Sequence, residues 1–224
     1  MYERILRILS QEELDKIQNI KVLIVGLGGV GGYALETLVR SGVLNIDILD
    51  FDKIDITNLN RQIITNNNNI DKYKVDEAYN RALSINPKLN IKKYNIYLDE
   101  KNIHNILINN YDYIIDACDK VDTKIELIKN KEKYKYDIIS CMGTAKKLDP
   151  TKLSITSLDK TNYDKLASVI RKKVRNLKIN PKTINVVSST EEIIKCNLLG
   201  SLMMVPATAG ILCAKYVIDN IIKD

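Results

Sequence analysis

The sequence predicts an α/β fold: a Rossmann-like, mostly parallel sheet flanked by helices and continued by antiparallel strands in the C-terminal half. Three observations carry this. A short apolar run at residues 22–25 ends in the turn Gly26-Leu27-Gly28-Gly29-Val30-Gly31, and a helical stretch follows at residues 30–41. Strand-like and helix-like segments then alternate to about residue 142, the order that builds a parallel sheet. After Asp149-Pro150 the alternation breaks, which suggests that the sheet is extended by antiparallel strands.

Taken in order, residues 1–18 read as an irregular arm carrying Arg4 and Arg7, then a short helix at 11–17 with Ser10 and Glu13 at capping-box spacing. The strand at 22–25, the glycine turn and the helix lead to Gly42, a helix-stop signal. A second apolar run at 44–49 ends at Asp50 and Asp52. A helix is expected at 71–85, with Lys74 in its first turn, an unfavourable place for a cation beside the positive end of the helix dipole. Further strands are expected at 89–97, 111–117 and 137–142, and helices at 101–109 and 123–133. The second half adds strands at Leu153–Ser157 and 184–188, a basic helix at 163–176, and a long apolar helix within 198–222 that starts or bends near Pro206. No linker composition interrupts the chain, so residues 1–224 read as a single domain.

Composition sets bounds. With 224 residues, 45% hydrophobic and 28% charged, the chain can bury a proper core. No uninterrupted apolar run reaches the roughly 18–20 residues of a membrane span, and the acidic N-terminal stretch lacks a cleavage site, so a cytoplasmic protein with no membrane partner is expected. The net charge of +6 permits an anionic macromolecular partner. The cysteines Cys118, Cys141, Cys196 and Cys213 form no CxxC pair and read as buried free thiols. His104, the single histidine, reads as a surface residue.

The turn has the context of a nucleotide-binding βαβ unit. One glycine permits the turn, one lets a phosphate approach the backbone, and one lets the helix pack close to the strand. The helix N-terminus offers free N–H groups to the phosphates, and Asp50, at the tip of the second strand, is placed to hold ribose hydroxyls. Asn58 and Arg61 fall on one helical turn beyond that strand, where an amide and a guanidinium can bridge phosphate oxygens. Asp116 and Asp119, at the end of a buried strand, are candidates for magnesium or ribose. Lys165, Arg171, Lys172, Lys173, Arg175, Lys178 and Lys182 cluster on one helix and its exit, either a solvated face or a phosphate-backbone footprint.

GLGGVG, DFD, NLNRQ, Lys74 and DACD together resemble the ubiquitin-activating-enzyme-like (ThiF/MoeB/HesA) adenylyltransferases, from about Arg4 to the end. The resemblance implies ATP and Mg2+ as cofactors. It places Gly26, Gly28, Gly29 and Gly31 along the phosphates, with Asp50 on the ribose and Asp52 beside it. It puts Asn58, Arg61 and Lys74 on the triphosphate, with Asp119 acting through magnesium as the metal residue. Arg4 falls where family members insert an arginine into the partner subunit's site, so the resemblance implies a homodimer. Arg61, Lys74, Asp119 and Arg4 are thus the catalytic set.

The second half, SCMGTAKKLDPTKLSITSLDKT, LASVIRKKVRNLKI, VVSSTEE and GSLMMVPATAG, resembles the tRNA threonylcarbamoyladenosine dehydratase branch. That implies tRNA as substrate. A carboxyl-adenylate then closes intramolecularly, with effective molarity in place of a covalent nucleophile. The alternative is activation of the C-terminus of a ubiquitin-like sulfur carrier. The paired CxxC motifs usual in the molybdopterin and thiamine branches are absent, and Cys196 is the one cysteine near the place of a thioester cysteine. Two departures are Ser168, where a basic residue is expected, and a short segment between Glu192 and Gly200. The sequence names no sulfur-relay partner.

Overall fold

The computed structural model describes residues 1–198 and 200–222. Among these, the strands β1 (Lys21–Val25), β2 (Asn45–Leu49), β3 (Asn90–Tyr94), β4 (Tyr113–Asp116), β5 (Asp137–Cys141), β6 (Leu153–Ser157) and β7 (Asn185–Ser189) form one sheet. Their order is β3-β2-β1-β4-β5-β7-β6. Every neighbouring pair is parallel except β6 with β7. The antiparallel continuation is therefore one edge strand, since β7 runs parallel to β5. Strand order reverses between β1 and β4, and the crevice beyond their carboxyl ends is where open α/β sheets take ligands.

Both faces of the sheet are covered, which is why its central strands are mostly apolar on both faces. Val22 and Ile24 of β1 face a core shared with α1 (Gln11–Asn19), α2 (Gly31–Ser41), α3 (Lys74–Ile85) and α7 (Met204–Ile222). Leu23 and Val25 face the other way, toward α4 (Ile103–Leu107) and α5 (Val121–Tyr134). A third cluster joins α5 to α6 (Lys165–Asn176). Each such buried side chain contributes roughly 1.5–3 kcal/mol relative to exposure.

The local signals hold. Ser10 and Glu13 make a reciprocal capping box on α1, and Gly42 ends α2 with a φ of 104°. The helices α3 and α6 start later than expected, each for a local reason. Residues 71–73 pair back onto residues 52–54, Asp71 N–H donating to Ile54 O at 2.9 Å and Ile54 N–H to Lys72 O at 2.8 Å, so α3 begins at Lys74. Tyr163 has a φ of 51° and Asp164 caps Ala167 N–H, so α6 begins at Lys165. In α7, Pro206 sits in the first turn, where no intrahelical N–H is needed. That helix starts at Met204, near Pro206 as expected, and Leu199 lies outside the described residues. By length and composition alone α7 could cross a membrane, with a mean hydropathy of 1.3, although Lys215 and Asp219 interrupt its apolar run. It is half buried and packs on α2 and the sheet, as a core helix does.

Asp116 corrects another expectation. It is fully buried under the crevice and does not line it. The sheet register sets Asp116 beside Ser140. Lys124 of α5, also fully buried, reaches Asp116 Oδ2 at 3.0 Å, Ser140 Oγ at 3.2 Å and Cys141 O at 2.8 Å. The Ser140 hydroxyl also donates to Asp116 Oδ2. Burial opposes the ammonium charge, but the Asp116 carboxylate beside it prevails and holds Lys124 above the usual lysine range. Asp116 is therefore a structural anchor. Lys124→Ala, which leaves that carboxylate unpaired in the core, is expected to lower stability by about 3–5 kcal/mol in urea unfolding. A loss under about 1 kcal/mol would remove the pair from this role.

Candidate active site

The crevice is a cavity of about 1140 Å³ lined by Gly26, Gly28 and Gly29 of the turn, Asp50 and Asp52 after β2, and Asn58, Arg61, Lys74 and Asp119. Residues from all five sequence motifs thus meet in one cavity. The turn itself is set by packing. Gly26 has a φ of 90°, and a Cβ there would lie 2.9 Å from Ala117 O. A Cβ on Gly31 would lie 1.8 Å from Gly26 O. Gly31 therefore does not line the cavity as the resemblance implied; it lets α2 begin directly against the turn. Gly28 and Gly29 present backbone to the cavity.

Asp50 braces this turn. It is 6% exposed, and its two oxygens accept Leu27 N–H at 2.6 Å and Asp52 N–H at 2.8 Å. Burial raises its pKa above the usual carboxylate value against the opposing pull of Lys74. Lys74 is equally buried, and its Nζ lies 2.7 Å from Asp52 Oδ2. Its own N–H donates to Asp52 O at 3.0 Å. The neighbouring carboxylates account for a lysine at the start of α3.

Asn58 ends a 3-10 turn, Ile56–Asn58, and its Oδ1 accepts Asp55 N–H at 3.2 Å, which leaves its side-chain NH2 without a partner among the described residues. Arg61 Nη1 donates to Thr57 O at 2.7 Å and Asn60 Oδ1 at 2.9 Å, and the other guanidinium nitrogens have no partner among the described residues. Asp119 is 84% exposed and lies 3.4 Å from Lys120 Nζ. Gln62 is a cavity residue that sequence reasoning missed, although it stands in NLNRQ. It is 6% exposed, and its Oε1 is buried without a hydrogen-bond donor. The open face of Gly28 and the Arg61 and Lys74 cations suit a nucleotide triphosphate, whereas the Gln62 oxygen can only accept, from an N–H or O–H group of a ligand.

The model of the ThiF family matches residues 2–224. The chain belongs to the ThiF family. A tRNA threonylcarbamoyladenosine dehydratase of Bacillus subtilis is 33% identical over 96% of this chain and 92% of its own length. One of Haemophilus influenzae is 32% identical over 97% and 91%. A solved structure of the Escherichia coli dehydratase in complex with ATP superposes with a TM-score of 0.94, at 28% identity, over 99% of this chain and 93% of that one. A molybdopterin-synthase adenylyltransferase of Haemophilus influenzae matches only 61% of this chain.

The structure also places the remaining candidate positions of this ThiF chain. Arg4 lies exposed in the turns before α1 and does not line its own chain's cavity. Cys141 and Cys213 are buried, but Cys196 is exposed and lies outside the main cavity. Half-buried Cys118 lines the cavity, where burial and then the Asp116 carboxylate hold its thiol well above the usual range, a poor nucleophile. Among the described residues no cluster of three or more His, Cys, Asp or Glu side chains is set to hold a metal. In the basic cluster, Arg171 turns inward, its Nη1 donating to Leu158 O at 3.2 Å and Thr161 O at 2.9 Å, and Lys173 pairs with Asp122 at 2.9 Å. His104 is exposed, as expected.

Because one oxygen of Asp50 holds the turn at Leu27 N–H and the other holds its own segment at Asp52 N–H, Asp50→Asn leaves one of these two N–H groups without its acceptor. It should weaken ATP binding at least tenfold in isothermal titration, about 1.4 kcal/mol. Unchanged affinity would show that the turn holds its shape without the brace.

Proposed function

We propose that this chain is an ATP-dependent dehydratase that cyclises N6-threonylcarbamoyladenosine in tRNA, releasing AMP and pyrophosphate. The observation that carries the proposal is the full-length correspondence with dehydratases combined with the Gly26–Gly29, Asn58, Arg61 and Lys74 set in one cavity. Residues 1–224 act as one adenylylating domain.

ATP lies with its phosphates along Gly28 and Gly29, against Asn58, Arg61 and Lys74. Asp50 keeps the turn in shape and uses its remaining lone pairs on the ribose, with Asp52 holding Lys74 in place. The substrate carboxylate attacks the α-phosphorus, the bond to pyrophosphate breaks, and an acyl-adenylate forms. A nitrogen of the same substituent then attacks the activated carbonyl carbon and loses its proton, and the bond to AMP breaks. Arg61 and Lys74 act on the negative charge that grows on the leaving pyrophosphate. Magnesium on the phosphates would add further neutralisation, and Asp119 is the carboxylate that would hold it; one carboxylate plus phosphate oxygens is a usual magnesium set. No cysteine takes part, because ring closure is intramolecular.

Lys74→Ala leaves Asp52, which is half exposed, in contact with water, so the fold should survive the change. Arg61→Ala and Lys74→Ala should each lower cyclisation at least a hundredfold, measured by mass spectrometry of tRNA nucleosides after incubation with ATP and magnesium. Wild-type rates in either variant would sink the triphosphate assignment.

A homodimer completes the site, with Arg4 acting across the interface. Arg4 is exposed and remote from its own cavity, and Leu6, Ile8 and Ile211 leave apolar surface uncovered. A mixture of Arg4→Ala and Lys74→Ala proteins, each inactive alone, should regain up to a quarter of wild-type activity through subunit exchange. No recovery despite proven exchange removes Arg4 from the site.

A further inference from the structure

Beside the main cavity lies a second one of about 470 Å³, and Ala145 lines both. Its walls come from three segments: the loop after β5, the start of α6, and residues 193–196. Ile193, Ile194 and Leu166 make its floor apolar, and Tyr163 stands 53% exposed at its edge. Tyr163 holds a φ of 51°, a left-handed conformation rare for a bulky side chain.

Three lysines line this cavity with accessible ammonium groups. Lys165 and Lys195 have no hydrogen-bond or ion-pair partner for Nζ among the described residues, and Lys146 Nζ donates once, to Cys196 O at 2.6 Å. The carboxylate present, Asp164, is spent on the frame: Oδ2 accepts Gly143 N–H at 2.7 Å and Oδ1 accepts Ala167 N–H at 3.0 Å. Lys147, buried, is occupied with Ser189 O at 3.1 Å. The cavity thus combines an aromatic face, an apolar floor and unpaired cations, the makeup of a single-stranded nucleic-acid subsite.

We propose that this cavity is a nucleotide subsite for the RNA substrate, where a base flanking the reacting nucleoside stacks on Tyr163 and its phosphates lie against Lys165 and Lys195. This rests on the dehydratase reading, because the reacting nucleoside must occupy the adjoining cavity. From Lys165 the strand continues along α6, where Lys172 and Arg175 are exposed without partners among the described residues. Residues 165 and 172 are two helical turns apart on one face, and 175 follows one turn later.

The test measures binding of an anticodon stem-loop RNA carrying N6-threonylcarbamoyladenosine by fluorescence anisotropy without ATP, and ATP affinity separately by calorimetry. Tyr163→Ala should weaken RNA binding by roughly fivefold to a hundredfold, the loss of one base–aromatic stack. Tyr163→Phe should bind RNA like wild type, and both should keep wild-type ATP affinity. Lys165→Gln with Lys195→Gln should reduce the slope of log affinity against log salt by about 1.4 for two lost single-strand phosphate contacts. Wild-type RNA affinity in Tyr163→Ala overturns the subsite, as does an equal loss in Tyr163→Phe, which would point to the hydroxyl. An unchanged salt slope overturns the phosphate contacts. Failure of the wild-type protein to bind RNA at all would instead sink the dehydratase reading, and the subsite with it.

Discussion

No side chain fits between Gly31 and the carbonyl of Gly26, and the cavity depends on that contact. Because α2 starts directly against the turn, Gly28, Gly29 and Val30, the residue before the helix, open onto the same space. The turn in turn lies against Ala117 and Cys118 after β4, so the two strands at the point of reversal share one rim. Asp50 then holds the turn from the β2 side. A nucleotide site of this kind is made first by what is missing from the backbone and only then by charged side chains.

The charged groups divide into two layers. Below the cavity, Asp116 and Lys124 neutralise each other in the core, and Ser140 and Cys141 O complete the hydrogen bonding that a buried pair requires. At the cavity itself, Asp52 and Lys74 form a pair with its carboxylate half in water, so the lysine can exchange one anionic partner for another at modest cost. The same two residue types therefore serve as anchor in one place and, in the proposed function, as ligand grip in the other, and burial of the carboxylate separates the two.

The proposed intramolecular ring closure also accords with the state of the thiols. A mechanism that relies on effective molarity needs orientation and phosphate charge neutralisation, not a covalent nucleophile. Cys118, the one thiol in the cavity wall, has its thiolate suppressed by burial and by Asp116. The exposed thiol, Cys196, lies with the second cavity, on the segment that Lys146 holds through Ile194 N–H, Cys196 O and Gly200 O.

The sequence by itself determined the features that depend on near neighbours. The strand–turn–helix at residues 21–41, the capping box at Ser10, the stop at Gly42 and the placement of Asn58 and Arg61 on one turn all rest on spacings of a few residues. The glycine turn, Asp50, Lys74 and Asp119 were legible because a βαβ unit brings the ends of its strands together whatever lies between them. Only the tertiary structure decided what depends on sheet order and on burial. That Asp116 faces Lys124 and not a ligand follows from α5 packing under β4 and β5, which no local pattern encodes. That Arg171 leaves the basic face follows from the carbonyls of residues 158–161 folding beneath α6. The orphaned oxygen of Gln62, and a second cavity walled by segments up to fifty residues apart, exist only once strands distant in sequence lie side by side. Periodicity reports which face of an element is apolar; it does not report which neighbour that face will meet.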